Sequence, residues 1–346
     1  MNILVIMDPL IPVPPKHYGG IERVVADLID GLSTRGHEVT LWAAPGSEAP
    51  SAKVEPFGRE QEWTRWSNLR NTMLLATRFY RPGRRFDIVH NFGRLAYLAT
   101  MFARDVPKVQ TYMRRVNPEN MRRAARARAR RLHFTAVSAA IRDTGAPGGG
   151  EWSVIYNCAA PERYTFRAAV DARTAPLVFL GRLERCKGPH TAIDVARRLN
   201  RRLIIAGNIS TLPDEREFFE RHVAPRIDGT LVSYVGPVDD AQKNALLGGA
   251  AAMLLPIEWE EPFPVVLPES LLCGTPVISF RRGGVPEGIS HGRTGFVCDT
   301  LDEMCAAVGQ LDTIDRSECR AEGERRFGDA VIVSEYESLY RRLLNA

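Results

Sequence analysis

The sequence predicts an α/β protein of two doubly wound domains with a cleft between them. Its length is the first reason, because 346 residues exceed what one small hydrophobic core organises. Short apolar runs also alternate with segments whose apolar residues recur every three or four positions, which is typical of parallel strands joined by helices. Finally, this alternation stops between Cys158 and Pro176 and then starts again.

We therefore expect two Rossmann-like domains and a returning helix. The predicted parts are an N-terminal domain over 1–160, a linker over 161–176, a second domain over 177–328, and a C-terminal helix over 329–346 that packs back on the first domain.

The composition is that of an ordinary globular protein, with 45% hydrophobic and 25% charged residues and a net charge of +5. No apolar run approaches the roughly 20 residues that cross a bilayer, and the opening MNILVIMD has the pattern of a first strand, not of a signal peptide. All six cysteines follow residue 157 without metal-ligand spacing, so we expect a reducing, cytoplasmic location. Only five of the 46 basic residues are lysines, a bias that we attribute to genomic base composition.

The first domain begins with a strand over Ile3–Met7, a helix with an apolar face from Ile21 to Leu32, and a strand over Glu38–Ala44. A polar loop over 45–60 comes next. The next helix, over 61–81, carries Trp63, Trp66, Leu69, Met73 and Leu74. The remaining predicted elements are strands over Phe86–Phe92, Lys108–Met113, His133–Ser138 and Ser153–Asn157, with a helix over 94–104.

A basic run follows the strand over Lys108–Met113. It holds Arg114, Arg115, Arg122, Arg123, Arg126, Arg128, Arg130 and Arg131, most of them on an Ala-rich helix. Nucleic-acid binding would call for aromatic partners or a known module, and a membrane-surface helix would call for bulky apolar residues opposite the charges. A solvated helix face is the favoured interpretation; docking to an acidic lipid surface or acceptor, and nucleic-acid binding, are the alternatives.

The second domain repeats the alternation. Its predicted strands are Leu177–Leu183, Arg202–Ala206, Leu231–Val235, Ala251–Ile257, Pro276–Phe280 and Phe296–Cys298. Its predicted helices are Pro189–Asn200, 213–226, Asp239–Gly249, a short helix ending near Gly274, and 301–312, 316–326 and 330–344.

Gly19 and Gly20 precede the first helix, at the carboxyl edge of the predicted sheet. Paired glycines there bring backbone N–H groups close to a ligand, although a turn that needs positive φ gives the same pattern. Ligand contact is the favoured interpretation, because open α/β sheets bind ligands at this edge.

The second domain holds a set of charges suited to a diphosphate. Gly181 and Arg182 follow its first strand, and Lys187 lies one short loop later, before a helix. Glu261 and Glu269 frame a Pro-rich stretch after a later strand. No Gly-x-x-x-x-Gly-Lys-Ser/Thr motif exists, and no Gly-x-Gly-x-x-Gly follows the first strand, which argues against a P-loop and against a nicotinamide enzyme.

These motifs together resemble the GT-B glycosyltransferases of family 4, which are retaining and use nucleotide sugars. The matching pieces are Gly19-Gly20, Asn157, Gly181-Arg182 with Lys187, Glu261-x7-Glu269, Gly274-Thr275-Pro276-Val277, Gly283-Gly284-Val285-Pro286-Glu287 and Gly292-x-x-Gly295-Phe296. The resemblance covers nearly the whole chain and is strongest from 177 to 300.

The resemblance implies a role for each matching residue. Arg182 and Lys187 would hold the pyrophosphate, Glu269 the ribose hydroxyls, and Glu261 the donor sugar; Arg182, Lys187 and Glu261 are the expected catalytic groups. The backbone of Phe263, Pro264 and Val265 would line the phosphate and sugar, and the loop after Gly236, with Val238, would contact the base. Gly19 and Gly20 would approach the phosphate from the other domain. Neither metal nor cofactor is expected, since two cations supply the charge.

The chain also departs from the family pattern. Pro264 stands where the family usually has glycine, which removes one N–H, and Pro268 removes another beside Glu269. The family's usual His after the fifth strand is missing, so His90 is a candidate substitute, with Tyr112 and Arg114 on the same acceptor and sugar side. These changes suggest an unusual donor sugar.

The expected function is retaining, metal-independent transfer of a sugar from a UDP- or GDP-sugar to a hydroxyl of a small molecule or oligosaccharide. The composition and the altered sugar loop suggest an antibiotic pathway of the orthosomycin (avilamycin) type. A GT-B epimerase or phosphorylase is the rival among enzymes. Two further hypotheses are a catalytically weak nucleotide-sugar-binding protein and a peripheral membrane enzyme with a lipid-linked acceptor; nucleic acid is not an expected partner.

Overall fold

The computed structural model describes residues 1–15, 19–59 and 64–346. It divides into two compact units, the first made of residues 1–158 and 329–346 and the second of residues 159–328. Each unit is a parallel β-sheet with helices packed against its strands, so the predicted α/β fold class is confirmed. No helix in the described residues is both long and apolar enough to cross a membrane.

The first unit holds a seven-stranded sheet. Its strands are β1 (Asn2–Ile6), β2 (Glu38–Ala43), β3 (Lys53–Pro56), β4 (Ile88–Asn91), β5 (Lys108–Tyr112), β6 (Leu132–Ala136) and β7 (Glu151–Val154). Their spatial order is β3-β2-β1-β4-β5-β6-β7, with every neighbouring pair parallel. The order reverses direction between β1 and β4, and such a switch point opens a crevice at the carboxyl ends of the two strands.

Among the residues that the structure describes, four α-helices of the first unit precede β7. They are α1 (Gly20–Thr34), α2 (Arg65–Phe79), α3 (Glu119–Arg126) and α4 (Ala139–Gly145). The apolar face predicted for α1 is buried, and Gly36, at a φ of 81°, follows its end. Trp63, part of the helix predicted over 61–81, lies outside the described residues, and α2 itself starts at Arg65.

Two local predictions for the first unit were wrong, and one helix was missed. The loop over 45–60 contains β3, an edge strand with a single large apolar residue, Val54, which is too few for a periodic signal. The helix predicted over 94–104 is a 3₁₀ helix over Leu95–Met101. Helix α4 was missed because it has only seven residues, although its N-cap Ser138 accepts a hydrogen bond from the Ile141 N–H.

The second unit holds a six-stranded sheet. Its strands are β8 (Leu177–Leu180), β9 (Leu203–Ala206), β10 (Val232–Tyr234), β11 (Ala252–Leu255), β12 (Val277–Phe280) and β13 (Gly295–Cys298). The order is β10-β9-β8-β11-β12-β13, again parallel throughout, and it reverses direction between β8 and β11.

The helices of this unit are α5 (Pro189–Leu199), α6 (Pro213–Phe218), α7 (Asp240–Gly249), α8 (Val266–Leu272), α9 (Leu301–Val308) and α10 (Arg316–Phe327). The helix predicted over 213–226 is interrupted: α6 passes into a π-helix over Phe219–Val223 and a 3₁₀ turn over Ala224–Arg226. Pro225 explains the irregular end, because it has no N–H for an α-helical bond.

Residues 161–176, predicted as a linker, belong to the second unit. Arg320 on α10 donates to the carbonyls of Tyr164 (2.8 Å) and Pro161 (3.2 Å), and Arg316 donates to the carbonyl of Arg167 (2.7 Å). Two guanidinium groups therefore fix a segment that has no periodicity of its own.

The last helix, α11 (Asp329–Asn345), is part of the first unit. It packs on α1 so closely that a Cβ added at Gly31 would lie 2.5 Å from a methyl group of Val333. Arg35 donates to the Glu337 carboxylate at 3.0 Å, and the Tyr340 hydroxyl reaches the ring of His90. The first unit is therefore assembled from both ends of the chain.

Candidate active site

The predicted donor residues of the second unit gather at the carboxyl edge of its sheet, beside the switch point. Arg182 and Lys187 follow β8, while Glu261 and Glu269 follow β11. Since β8 and β11 are parallel neighbours, their carboxyl ends meet at one edge, and residues 74 positions apart in the chain come into contact there.

Lys187 and Glu261 form an ion pair at this edge. The Lys187 Nζ lies 2.5 Å from Glu261 Oε2, and the Trp259 indole N–H donates to the same oxygen at 2.5 Å. The ammonium lies 5.3 Å from the centroid of the Trp259 ring, within the range of a cation–π contact. The two charged side chains are only 15% and 10% exposed, so water screens the pair weakly.

The loop that carries Glu261 rests on Gly283 and Gly284. The Gly284 N–H donates to the Glu261 carbonyl at 2.7 Å, and the Gly283 N–H donates to the Glu260 carboxylate at 2.8 Å. Gly283 has a φ of 54°, and a Cβ added there would lie 2.2 Å from the Glu261 carbonyl oxygen. The Gly-Gly motif therefore supports the backbone of the loop that carries the catalytic candidate Glu261.

Arg182 is held by a carboxylate that the sequence did not single out. Its Nη1 donates to Glu184 Oε1 at 2.5 Å, and the Ser210 hydroxyl donates to the same oxygen at 3.1 Å. Glu184 is buried, whereas the Arg182 side chain is 36% exposed. The guanidinium is thus anchored at one end and open to the solvent at the other.

Glu269 is buried in the first turn of α8 and accepts hydrogen bonds from two donors. The Tyr164 hydroxyl donates to Oε1 at 2.8 Å, and Lys243 Nζ on α7 donates to the same atom at 2.6 Å. Lys243 also lies 5.6 Å from the centroid of the Tyr164 ring. Because both donors use Oε1, Oε2 is the oxygen that a ligand hydroxyl can approach.

Cys273, which lies near Glu269, is the C-cap residue of α8. Burial, and then the charge of Glu269, raise its pKa to about 12. The thiol is therefore neutral at physiological pH and behaves as a small buried group.

The backbone between the two glutamates has the expected start of a helix. Phe263 and Pro264 are buried, Val265 caps α8, and Pro268 is the third helical residue. The first four N–H groups of a helix have no intrahelical partner, so Pro268 breaks no bond of α8. Val238 is half-buried in the loop that precedes α7.

The first unit carries a separate cavity of about 560 Å³ at the carboxyl ends of β1, β4 and β5. In the described part of the chain, four arginines line it, namely Arg94, Arg114, Arg115 and Arg123, against one acidic residue, Asp8. Asp8 Oδ2 lies 3.7 Å from Arg114 Nη2, and Asp8 Oδ1 lies 4.0 Å from Arg94 Nε. Burial raises the pKa of the Asp8 carboxyl, which the two arginines oppose. The cavity is cationic.

Two predicted acceptor-side residues, Tyr112 and Arg114, line this cavity. The Tyr112 hydroxyl is buried and makes no hydrogen bond to the part of the protein that the structure describes. Burial also raises its pKa, so the phenol stays protonated and can donate. The Tyr112 phenol is therefore a protonated donor buried in the wall of the cavity.

Gly19 and Gly20 lie at the start of α1 in the same unit. The backbone of Gly19 is extended, so the turn needs no positive φ; a Cβ there would instead lie 2.5 Å from Cβ of Pro15. Glu22, one turn into α1, is buried, and this burial raises the pKa of its carboxyl.

The prediction that His90 replaces the missing family histidine is wrong, because His90 is part of the core. It is fully buried in β4, where Nδ1 contacts the Tyr340 hydroxyl at 2.5 Å and Nε2 contacts Thr111 Oγ1 at 2.6 Å. Both ring nitrogens are used inside the core, and burial lowers its pKa to about 3. His90 is a neutral structural residue and does not line the cavity.

The arginines of α3 are also explained. Arg122, Arg123 and Arg126 lie 3.5, 3.8 and 2.8 Å from the carboxylate of Glu119. They are exposed, as a solvated helix face requires, and they share one acidic partner.

Sequence reasoning missed Tyr164, Glu184, Lys243 and Trp259. Lys243 had a usable signal: in a chain with only five lysines, a lysine kept against the arginine bias marks a place where a compact charge is needed. Tyr164 had none, because it sits in the segment predicted as a linker. Among the residues that the structure describes, no group of three or more His, Cys, Asp or Glu side chains could hold a metal ion.

Comparison with known proteins identifies both halves of the chain. Residues 163–325 match the family model of glycosyl transferases group 1, and residues 18–163 match that of glycosyltransferase family 4. Glycogen synthase of Mycobacterium tuberculosis (strain ATCC 25618 / H37Rv) is 30% identical over 357 residues, which cover 87% of this chain and 84% of that protein. D-inositol 3-phosphate glycosyltransferase of Pseudarthrobacter chlorophenolicus is 34% identical over 138 residues, covering 38% of this chain and 32% of that protein.

Solved structures give the same fold. AviGT4, a glycosyltransferase involved in avilamycin A biosynthesis, superposes with a TM-score of 0.73 at 27% identity, covering 99% of this chain and 98% of that one. Anabaena Alr3699/HepE in complex with UDP and glucose has a TM-score of 0.76 at 19% identity, covering 98% of this chain and 99% of that one.

Proposed function

This chain belongs to the group 1 glycosyltransferases, with a family 4 N-terminal half, and is nucleotide-sugar dependent; we therefore propose that it transfers a sugar from a UDP- or GDP-sugar to a hydroxyl with retention of configuration and without a metal ion. The observation that carries the proposal is the shielded Lys187–Glu261 pair beside Arg182 and Glu269, at the switch point of the second unit.

Lys187 and Arg182 supply the positive charge that a departing nucleoside diphosphate needs. Each is held by a carboxylate before a ligand binds, Lys187 by Glu261 and Arg182 by Glu184. Held cations need little reorganisation as negative charge develops on the diphosphate, which is the condition for effective electrostatic catalysis. Two such cations do the work that a divalent ion does elsewhere, so no metal or other cofactor is part of the proposal.

Glu261 acts on the donor sugar in this proposal. Its carboxylate accepts from Lys187 and Trp259, and it can also accept from a sugar hydroxyl. Because Lys187 and Trp259 both hold Glu261 Oε2, the proposal assigns this carboxylate to hydrogen bonding and assigns the transfer to front-face attack without a covalent glycosyl-enzyme. The bond from the anomeric carbon to the diphosphate breaks, the acceptor oxygen bonds to that carbon from the same face, and its proton passes to the departing diphosphate.

Glu269 binds the ribose. Tyr164 and Lys243 fix Oε1, which leaves Oε2 to accept from the ribose hydroxyls. The backbone at Phe263–Val265 lines the phosphate and sugar, and the loop with Val238 lies against the base. Anabaena Alr3699/HepE, solved with UDP, supports a uridine nucleotide by likeness of fold.

The acceptor enters the cationic cavity of the first unit, next to Tyr112 and Arg114. Four lining arginines against one carboxyl group favour an acceptor that carries an anionic group as well as the reacting hydroxyl. The relative named D-inositol 3-phosphate glycosyltransferase is consistent with such an acceptor. The similarity to AviGT4 supports a role in a natural-product pathway. All six cysteines are free, which fits a reducing, cytoplasmic location.

Isothermal titration with UDP, GDP and TDP tests the donor site, with UDP expected to bind most tightly. The acceptor is tested by adding a sugar or its monophosphate ester to the enzyme with UDP-glucose and following UDP release. Faster release with the phosphate ester supports the anionic acceptor, while absence of binding to all three nucleotides contradicts the donor assignment.

Pro264 favours one rival, a nucleotide-sugar-binding protein with weak catalysis, because it removes an N–H from the sugar loop. Tight binding of a nucleotide sugar without hydrolysis or transfer to any acceptor would support that rival. Slow hydrolysis of a bound nucleotide sugar would exclude it.

A further inference from the structure

Helix α2 exposes four large apolar side chains and buries three polar ones. Trp66 is 80% exposed, Leu69 and Met73 are each 55% exposed, and Leu74 is 36% exposed. These four residues, here called the α2 face, lie along one side of the helix, since 66, 69 and 73 are spaced by three and four positions. The side that faces the protein holds Ser67, Asn71, Thr72 and Leu75.

This orientation is anchored at both ends of the helix. Thr64 and Ser67 form a capping box at the N-terminus, where the Thr64 hydroxyl accepts from the Ser67 N–H at 3.0 Å. Near the C-terminus, Arg78 donates to the carbonyls of Glu55 (3.1 Å) and Pro56 (2.8 Å), and the Tyr80 hydroxyl donates to the Thr100 carbonyl at 2.7 Å. Rotating α2 to bury its apolar face would break these bonds.

The exposed apolar surface is concentrated at this helix. Five of the ten large apolar side chains that are exposed in the described part of the chain lie between residues 66 and 80. Scattered exposed apolar residues are normal, but a contiguous patch marks an interaction site.

The stretch of sequence that carries the α2 face is cationic. From 64 to 86 the sequence contains six arginines and no acidic residue: Arg65, Arg70, Arg78, Arg81, Arg84 and Arg85. Arg78 and Arg84 are bound to Glu55, whereas Arg65, Arg70, Arg81 and Arg85 are exposed. An apolar stripe bordered by exposed arginines is the composition of a helix that lies in a membrane interface.

We propose that the α2 face docks the protein on a membrane surface that contains anionic lipid. Helix α2 lies in the plane of the interface, with Trp66, Leu69 and Met73 among the upper acyl chains and the flanking arginines at the lipid phosphates. A second copy of this chain is a poorer occupant, because two such surfaces would bring both sets of exposed arginines together. The proposal goes beyond the proposed transfer reaction, since it concerns where the enzyme works.

Docking is assigned to α2 and not to the basic helix α3. Glu119 neutralises part of the α3 charge through its contacts with Arg122, Arg123 and Arg126. The buried residues of α3 are Met121 and Ala124, so the one bulky apolar side chain of this helix faces the protein and not the solvent.

Co-sedimentation of the full chain with vesicles tests the proposal, with pure phosphatidylcholine compared against a mixture with phosphatidylglycerol. We expect binding to the anionic vesicles that weakens as salt is added. The double variant Trp66→Ser/Leu69→Ser should lower the partition coefficient by about tenfold or more, because two large side chains no longer enter the bilayer. Leu212→Ser, at an equally exposed leucine of the second unit, is the matched control and should bind as the parent does.

The charge contribution is tested separately. Arg65→Gln/Arg70→Gln on α2 should weaken binding to anionic vesicles, whereas Arg122→Gln/Arg126→Gln on α3 should leave it unchanged. Circular dichroism and urea unfolding confirm that each variant is folded, and no sugar donor is present, so the result is independent of the proposed reaction.

Three results would overturn the proposal. The first is absence of binding to anionic vesicles, and the second is an equal loss of binding in the α3 variant. The third is a dimer in sedimentation velocity that Trp66→Ser converts to a monomer while vesicles are not bound, which would assign the α2 face to a second copy of the chain.

Discussion

At the scale of single residues, Lys187 and Glu261 are paired before any ligand arrives. Their 2.5 Å contact and low exposure place a positive charge and a hydrogen-bond acceptor side by side in a partly dry site. Glu269 has a different environment, because Tyr164 and Lys243 hold it from within the same unit. The two glutamates of the Glu-x7-Glu motif are therefore not interchangeable.

Replacing Lys187 tests the leaving-group assignment. Lys187→Ala should lower kcat by about 100-fold, because the departing diphosphate loses a preorganised cation. Steady-state release of UDP from UDP-glucose measures the effect. Lys187→Arg should recover part of the rate, and Lys53→Ala, at an exposed lysine that also pairs with a glutamate, should match the parent. An unchanged kcat in Lys187→Ala would remove this lysine from the mechanism.

Replacing Glu269 tests the ribose assignment. Glu269→Ala should raise the Kd for UDP by about tenfold, since hydrogen bonds from ligand hydroxyls to a charged acceptor are lost. Tyr164→Phe should give a smaller increase, because only one of the two donors that orient Oε1 is removed. Titration calorimetry measures both, with Glu217→Ala, at an exposed glutamate that pairs with Arg221, as the control. Equal affinity in the parent and Glu269→Ala contradicts the assignment.

Replacing Pro264 tests its effect on the donor sugar. Pro264→Gly restores a backbone N–H to the loop between the two glutamates, so turnover of UDP-glucose should rise relative to that of other donors. Competition between UDP-glucose and a panel of UDP-sugars gives the ratio of kcat/KM values. The same ratios in the parent and in the variant would show that Pro264 does not select the sugar.

At the scale of elements, the loops of the candidate active site are positioned by backbone contacts between neighbouring strand ends. The loop after β12 supports the loop after β11 through the N–H groups of Gly283 and Gly284. Helix α8 starts late enough for Pro268 to cost no hydrogen bond. In helix α2, by contrast, the hydrogen bonds at the two ends of the helix hold an apolar face toward the solvent.

A substitution at Gly283 should disturb this support. Gly283→Ala places a methyl group 2.2 Å from the Glu261 carbonyl oxygen, so the Glu261 loop must move. We expect a loss of about 1–3 kcal/mol in unfolding free energy and a lower kcat. Gly292→Ala is the matched control, because Gly292 also has positive φ but a Cβ there meets nothing within 4 Å. If the two variants behave alike, the cost comes from φ alone and not from the contact with Glu261.

At the scale of the whole molecule, each unit is completed by residues distant in the chain. Helix α11 joins the first unit after the whole second unit has been traversed, and it closes over β4 through the contact between Tyr340 and His90, which are 250 positions apart. The segment over 161–176 joins the second unit through Arg316 and Arg320 of α10.

The buried His90 predicts how stability depends on pH. Its pKa is lowered to about 3 in the folded protein, so it stays neutral there while the unfolded chain takes up a proton near pH 6.5. Acidification below pH 6.5 therefore favours the unfolded state, by about 2 kcal/mol from this group at pH 5. In urea unfolding, His90→Gln should lose less stability than the parent between pH 7 and pH 5. Equal losses would mean that His90 is not a neutral core residue.

Local signals along the chain were enough to predict the two α/β units and to single out most of the side chains that meet at the candidate donor site. Strand and helix periodicities depend only on nearby residues, so they can be recognised without knowledge of the fold. Motifs such as Gly181-Arg182 with Lys187 are also short enough to recognise in the sequence. These signals failed where an element was too short or too polar, as with β3 and α4.

Which side chains meet is a property of the tertiary structure alone. Tyr164 reaches Glu269 across 105 positions, and Lys187 reaches Glu261 across 74, because parallel strands bring distant ends to one edge. Burial removed His90 from the site, since its two hydrogen-bond partners come from β5 and α11. The sequence predicted a helix that carries Trp66, Leu69 and Met73, but it does not say which way these side chains face. The bonds of Arg78 and Tyr80 to the rest of the unit, which lie outside the helix itself, fix that direction.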